Sequence, residues 1–144
     1  MKKYLLIICI LLGSVCYSNK TEAKVINNVL FHSGATSLEN YSLGPVYFGK
    51  GNLGKGRLTL ENSARIYITN KFSSGKKYVV KVKDLVGTIV IFNDIHSVCH
   101  LTSDYPQTKV VRFTVEATDD GNYTRIGFGA DNHAIFTGYT IEEY

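Results

Sequence analysis

The sequence has no tryptophan and only three cysteines among its 144 residues. Two of the cysteines, Cys9 and Cys16, lie in the first 23 residues, which we predict to be removed from the mature protein. Cys99 is then the one cysteine left, so the mature chain cannot form an intrachain disulfide. A zinc site built on cysteine thiolates is excluded for the same reason.

The N-terminus also lacks an apolar run long enough to cross a bilayer. A short positive segment at 1–3 precedes an apolar run at 4–12, and small and polar residues follow. A membrane-spanning helix needs roughly 20 apolar residues, so the pattern is that of a cleavable signal peptide. Val15 stands where a lipoprotein signal needs a small residue, which argues against acylation of Cys16. We predict a signal peptide over 1–23, no transmembrane anchor, and a secreted or extracytoplasmic location, either periplasmic or extracellular.

The formal net charge of the chain is small once the predicted signal peptide is removed. The full chain carries a formal charge of +4, and removing 1–23 takes away three lysines and one glutamate, which leaves +2. Nucleic-acid binding needs a concentrated basic stripe, so we expect no nucleic-acid partner. The remaining residues, 24–144, are enough for a single domain with one core.

Short segments in which apolar and polar side chains alternate dominate the mature chain. Alternation with a period of two residues predicts half-buried strands, and a short run that is apolar on both sides predicts a central strand. The predicted strands are 57–62, 64–69, 77–83, 88–92, 109–116, 123–129 and 134–142. Residues 34–56 contain six glycines and predict a long irregular connection or a pair of very short strands. The spacing predicts an all-β, antiparallel sandwich or barrel.

Several motifs recur in a familiar order along these segments. They are Gly-Arg-Leu-Thr-Leu at 56–60, Gly-Lys-Lys-Tyr-Val-Val-Lys-Val at 75–82, Gly-Thr-Ile-Val-Ile at 87–91, Arg-Phe-Thr-Val at 112–115 and Gly-Tyr-Thr-Ile-Glu at 138–142. This order resembles the galactose-binding-like jelly rolls of carbohydrate-binding modules and of phage tail and fibre domains, over about residues 56–143. The resemblance implies an antiparallel jelly-roll sandwich with a carbohydrate-binding function. Carbohydrate-binding modules often carry tryptophan on the binding face, and this chain has none.

Outward-facing tyrosines beside arginines are the first candidate binding residues. Arg65 and Tyr67 lie on the same side of one predicted strand, and Tyr123 and Arg125 lie on the same side of another. If the two strands share a sheet, these side chains form a surface suited to a polar or acidic glycan. The preference of tyrosine for strands accounts for the same pattern without any ligand, and that explanation stays open.

The loop at 41–52 is the second candidate, because loops carry function more often than cores do. It contains Tyr41, Tyr47, Phe48 and Asn52. Packing of this loop over one end of the sandwich is the structural alternative. Taking both regions together, the predicted ligand-binding residues are Arg65, Tyr67, Tyr123, Arg125, Tyr47 and Asn52.

The histidines and carboxylates do not predict a metal or cofactor. His96 and His100 would lie roughly 13 Å apart on a strand, too far to share an ion, and Cys99 between them is expected to be a buried, inert thiol. The Asp-Asp-Gly-Asn run at 119–122 lacks the spaced ligand series of a calcium site and predicts a hairpin turn.

No nucleophile motif, phosphate-binding loop or positioned pair of carboxylates is evident, so we predict that the chain is not an enzyme. The leading hypothesis is an exported binding module whose partner is a glycan or a cell-surface polysaccharide. One alternative is a structural sandwich of a surface layer or virion, which binds another protein or itself. The two-sided apolar strand at 88–92 favours that alternative. A small polysaccharide-acting hydrolase or lyase is the third hypothesis.

Overall fold

Twelve strands and one short 3-10 helix make up the described part of the chain, residues 22–116 and 123–144, in a computed structural model. The helix is Leu38–Tyr41, and the strands are β1 (Lys24–Leu30), β2 (Leu43–Tyr47), β3 (Lys50–Gly54), β4 (Arg57–Glu61), β5 (Ala64–Ile68), β6 (Phe72–Ser73), β7 (Lys77–Asn93), β8 (His96–Thr114), β9 (Tyr123–Thr124), β10 (Ile126–Ala130), β11 (His133–Phe136) and β12 (Gly138–Glu143). Within these residues no helix has the length and apolarity to span a membrane. The predicted signal peptide, apart from Glu22 and Ala23, and the predicted turn at 119–122 lie outside the described residues.

Strands β7 and β8 form a long antiparallel ribbon that both layers of the sandwich share. The sequence predicts separate strands at 77–83 and 88–92, whereas β7 is one strand of 17 residues that bends between them. Asp84 and Gly87 have φ values of 51° and 91°, and the register with β8 shifts on both sides of Leu85. The first half of β7 pairs with β12, and the second half pairs with β10. The bend therefore carries the ribbon from one layer to the other.

The two layers meet in a single apolar core. The first layer is β1, β12, the first half of β7 and its stretch of β8, and the second is β2, β5, β10, the second half of β7 and its stretch of β8. β11, β4 and β3 join at the bend, where β11 pairs with Val86 and Gly87. Val80 and Val82 of the first layer and Ile89 and Ile91 of the second are buried in the same cluster. Period-2 burial within two packed layers explains the alternation seen in the sequence.

Other strand boundaries differ from the predicted ones for local reasons. Arg125 interrupts the predicted strand at 123–129, because β9 leaves the main sheet and pairs with β6 instead. Thr137 divides the predicted strand at 134–142, and its N–H bonds to the carbonyl of Lys83 at 3.0 Å. Residues 34–56 contain β2 and β3, so the short-strand alternative is correct there.

Tyr139 provides a test of this core. Its fully buried hydroxyl donates a hydrogen bond of 2.6 Å to the carbonyl of Tyr41, and its burial raises its pKa. We expect Tyr139→Phe to lower the free energy of unfolding at neutral pH by about 1 kcal/mol, since the hydrogen bond is lost.

The pH dependence of stability should change in the same variant. A folded-state pKa above the unfolded value of about 10 contributes stability that is complete below pH ~10 and is lost as pH rises toward the folded value. Urea denaturation between neutral pH and about pH 11 should therefore show a steeper alkaline loss in the wild type than in Tyr139→Phe. Parallel curves would show that Tyr139 does not titrate differently in the folded and unfolded states.

Candidate functional site

A second buried cluster lies on the outer side of the second layer. Ile66 and Ile68 of β5 point into the main core, so Tyr67 between them points away from it. Tyr67 packs there with Val90 and Phe92 of β7 in a separate cluster. Tyr67 is only 7% exposed and Phe92 only 8%, although both lie on the outer face. Other groups must therefore cover the two rings.

Two glycines of β10 make room beneath the rings. Gly127 lies opposite Tyr67 in the pairing of β10 with β5, and Gly129 lies two residues further along. A Cβ on Gly127 would lie 2.7 Å from a ring carbon of Tyr67, and one on Gly129 would lie 2.6 Å from a ring carbon of Phe92. The rings of Tyr67 and Phe92 therefore lie in the space that a side chain at position 127 or 129 would fill.

Two arginines cover the rings from above. The guanidinium carbon of Arg125 lies 4.0 Å from the ring centroid of Tyr67, and that of Arg65 lies 4.0 Å from the ring centroid of Phe92. Cation–π attraction holds each planar guanidinium against its ring. We call Arg65, Tyr67, Phe92 and Arg125 the arginine–aromatic face.

Asp94, in the turn between β7 and β8, forms hydrogen bonds with two residues of this face. Its carboxylate accepts hydrogen bonds from Nε and a terminal nitrogen of Arg125, at 3.0 and 2.8 Å. Its carbonyl accepts the hydroxyl of Tyr67 at 2.8 Å, and its N–H donates to the carbonyl of Arg125 at 2.8 Å. Asp94 has a φ of 55°, a conformation that aspartate tolerates better than most residues. The position of Arg125 is therefore fixed by both its side chain and its backbone.

Two exposed aromatic side chains border the face. Tyr47 lies opposite Arg65 in the pairing of β2 with β5, is 44% exposed, and meets the ring of Tyr67 edge to face at 6.1 Å. Phe48 is 75% exposed and lies 5.9 Å from the guanidinium carbon of Arg65. Phe48 also has a φ of 59°, which is costly for a bulky side chain. Strained backbone clusters at ligand-binding sites, which makes the exposed Phe48 a candidate binding residue.

The structure brings four of the six predicted binding residues together. Arg65, Tyr67 and Arg125 form the face, and Tyr47 borders it. Tyr123 is exposed on β9, where the ammonium of Lys71 lies 5.8 Å from its ring centroid. Asn52 is exposed on β3 opposite Thr59, in the β3–β4–β11 group of strands rather than in the face.

The loop candidate Tyr41 has a structural role instead. Its ring packs edge to face against Phe31 at 5.1 Å, and its hydroxyl accepts the N–H of His32 at 3.2 Å. Its carbonyl is the acceptor for Tyr139. The alternative of packing at the sandwich end is therefore correct for Tyr41.

Sequence reasoning missed Phe92, Asp94 and the two glycines. A signal for them was present in the sequence, since the Ile-Gly-Phe-Gly-Ala run at 126–130 alternates glycine with apolar residues. Glycine at every second position leaves one side of a strand bare, which allows rings from neighbouring strands to lie across it. The strand at 88–92 was also apolar on both sides, and its outer side belongs to this face.

Cys99 and the nearby histidines form no such constellation. Cys99 packs against the main core, and its burial raises the pKa of its thiol, which disfavours the reactive thiolate. His100 lies 3.8 Å from the carboxylate of Asp131 at the surface. Within residues 22–116 and 123–144, no group of three or more histidine, cysteine and acidic side chains could hold a metal ion.

Comparisons with known proteins match the chain by fold alone. No protein-family model and no curated protein sequence matches it. A solved variant of a family 29 carbohydrate-binding module, in complex with mannohexaose, matches with a TM-score of 0.57 and 14% identity, over 85% of this chain and 93% of that one. A second variant of the module matches with a TM-score of 0.55 and 14% identity, over 85% and 87% of the two chains. A third structure, a variant of a family 29 module, has a TM-score of 0.52 and 13% identity, over 85% and 91%.

The chain has the fold of a family 29 carbohydrate-binding module. This confirms the predicted jelly-roll sandwich and the resemblance from which it was predicted. The matched structures are described as carbohydrate-binding modules. At 14% identity the likeness transfers no ligand and no binding residue to this chain.

Proposed function

We propose that this protein is an exported carbohydrate-binding module that holds its glycan on the arginine–aromatic face. The observation that carries the proposal is the arrangement of two fixed guanidinium groups beside two exposed aromatic rings, those of Tyr47 and Phe48. The fold supports it, since solved structures with the same fold are carbohydrate-binding modules.

The chemistry of the face suits a sugar ring. One side of a pyranose is apolar and packs on an aromatic ring, and its hydroxyl groups need well-placed planar donors. Phe48 and Tyr47 supply exposed aromatic surface, and the arginines supply N–H donors held in fixed orientations. Tyr67 and Phe92 are covered, so their role is to support the arginines rather than to contact the glycan.

Removing the exposed ring of Phe48 tests this proposal. We expect Phe48→Ala to weaken glycan binding about tenfold, which corresponds to about 1.4 kcal/mol of lost stacking energy. Isothermal titration against a panel of oligosaccharides that includes mannohexaose gives the measurement. Tyr47→Ala should have a smaller effect in the same direction.

Tyr105→Ala provides a matched control for these variants. Tyr105 is 62% exposed on β8. Its backbone carbonyl accepts a hydrogen bond from the hydroxyl of Ser103, and this bond does not involve its ring. Chelator treatment should leave binding unchanged, because we propose that no metal takes part. Absence of binding across the panel, or equal affinity in Phe48→Ala and Tyr105→Ala, would rule out the proposed site.

The alternative of self-association is not favoured at β8, although β7 is its only partner among the described strands and its other edge is open. An open strand edge is a place where another chain can pair. Pro106 lies within β8 and lacks a backbone N–H, and Lys109 and Arg112 follow it, all features that discourage such pairing. A single monomeric species in light scattering is therefore the expected result.

A further inference from the structure

The two arginines of the face differ in how their charge is balanced. Arg125 forms an ion pair with Asp94 at 2.8 Å. Arg65 has no carboxylate partner among the described residues. Arg65, Arg125 and Asp94 together leave the face with one uncompensated positive charge. That charge resides on Arg65.

The Arg65 guanidinium is held in place without being neutralised. Phe92 supports it at 4.0 Å, and one terminal nitrogen donates a long hydrogen bond of 3.4 Å to the hydroxyl of Tyr67. That hydroxyl gives its own proton to the carbonyl of Asp94, so it is available to accept from Arg65. Because a guanidinium carries five N–H donors, most of its donors remain for a ligand. A fixed guanidinium can bind a carboxylate or a sulfate through two parallel hydrogen bonds.

A sugar that bears an anionic group would use both features of this corner. The ring centroid of Phe48 lies 5.9 Å from the guanidinium carbon of Arg65, and Tyr47 lies opposite Arg65 in the pairing of β2 with β5. A ring that packs on these aromatic side chains therefore lies within reach of the unpaired charge. An anion there would also relieve the repulsion between the two arginines, both of which contact Tyr67.

We infer that the site selects acidic saccharides, with the carboxylate or sulfate of the sugar bound by Arg65. This inference rests on the proposed carbohydrate-binding function and adds the chemical class of the ligand. Neutral sugars would bind through the same aromatic rings, and the acidic group would add affinity. Arg125 takes no part in the selection, since Asp94 already satisfies its charge.

The test compares oligosaccharides that share a ring but differ in charge. Isothermal titration with mannohexaose and with an oligomannuronate of equal length isolates the carboxylate, and a sulfated oligosaccharide tests the sulfate. We expect the oligomannuronate to bind at least about tenfold more tightly at low salt, with the advantage reduced at about 0.5 M salt. Sodium acetate and sodium sulfate supply the same anions without a sugar ring. At the concentration of the bound sugar, neither salt should displace the acidic oligosaccharide.

Substitutions at Arg65 assign the selection to this residue. Arg65→Gln should bring the two affinities within about twofold of each other and leave mannohexaose binding measurable, whereas Arg65→Lys should retain part of the preference. Arg112→Gln removes the same charge from the exposed part of β8 and should keep the full preference. Thermal unfolding of each variant shows whether the fold is intact, and Arg65→Lys tests the inference if Arg65→Gln is unfolded.

The possible outcomes separate the inference from the proposed function. Equal affinity for the acidic and neutral sugars overturns the inference and leaves carbohydrate binding in place. An acidic preference that persists in Arg65→Gln also overturns it, because the anion would then bind elsewhere. Absence of binding to every sugar overturns both the inference and the proposed function.

Discussion

Gly87→Ala is expected to lower the free energy of unfolding by about 2–5 kcal/mol, because the new methyl group meets backbone from another strand. A Cβ on Gly87 would lie 2.4 Å from the carbonyl oxygen of His133, at the point where β11 pairs with β7. Gly87 also has a φ of 91°, which an L-residue adopts only with strain. The methyl group would therefore force β11 away from the bend that joins the two layers.

Gly75→Ala separates the cost of backbone strain from the cost of the contact with His133. Gly75 has a φ of 79°, but nothing lies within 4 Å of a Cβ placed on it, so only the backbone strain applies. Its expected cost is about 1–2 kcal/mol. Urea or thermal unfolding of the two variants under identical conditions gives the comparison. Equal losses of stability would show that the close approach of His133 to the bend contributes nothing.

The fold class could be predicted because alternation records burial directly. Ile66 and Ile68, or Val80 and Val82, face the core at every second position, and this period identifies a strand without knowledge of its partners. The bend in β7 could not be located in the same way. It depends on the positive φ of Asp84 and on the approach of β11 to Gly87, and both are set by tertiary contacts.

Part of the site could be predicted for the same reason. Arg65 and Tyr67 share a side of β5, which the period of two residues gives directly. The pairing of Arg65 with Phe92 joins residues from strands that are not neighbours in sequence, so it required the order of strands in the sheet. The burial of Tyr67 is not predictable in this way, since an outward ring is expected to be exposed, and the stacked Arg125 together with the ring of Tyr47 explains its exposure of 7%. The departure of β9 from β10 likewise placed Tyr123 beside Lys71.

Gly127→Val should produce the largest loss of glycan affinity, about a hundredfold, although residue 127 need not touch the glycan. A Cβ at this position would lie 2.7 and 2.9 Å from two ring carbons of Tyr67 and 2.9 Å from the carbonyl of Ile66. The ring of Tyr67 must therefore move, and Tyr67 contacts both arginines of the face. Arg65 and Arg125 would both lose their fixed positions, whereas Phe48→Ala removes a single contact.

Gly54→Val tests whether this effect comes from the face or from valine on a strand. Gly54 lies on β3, and nothing lies within 4 Å of a Cβ placed there, so binding and stability should stay close to those of the wild type. Gly127→Val should also cost about 1–3 kcal/mol of stability, since overpacking displaces a buried ring. If that variant does not fold, Gly127→Ala makes the same comparison with a single methyl group. Wild-type affinity in a folded Gly127 variant would mean that the glycan does not depend on the position of Tyr67, and the arginine–aromatic face would then not be the binding site.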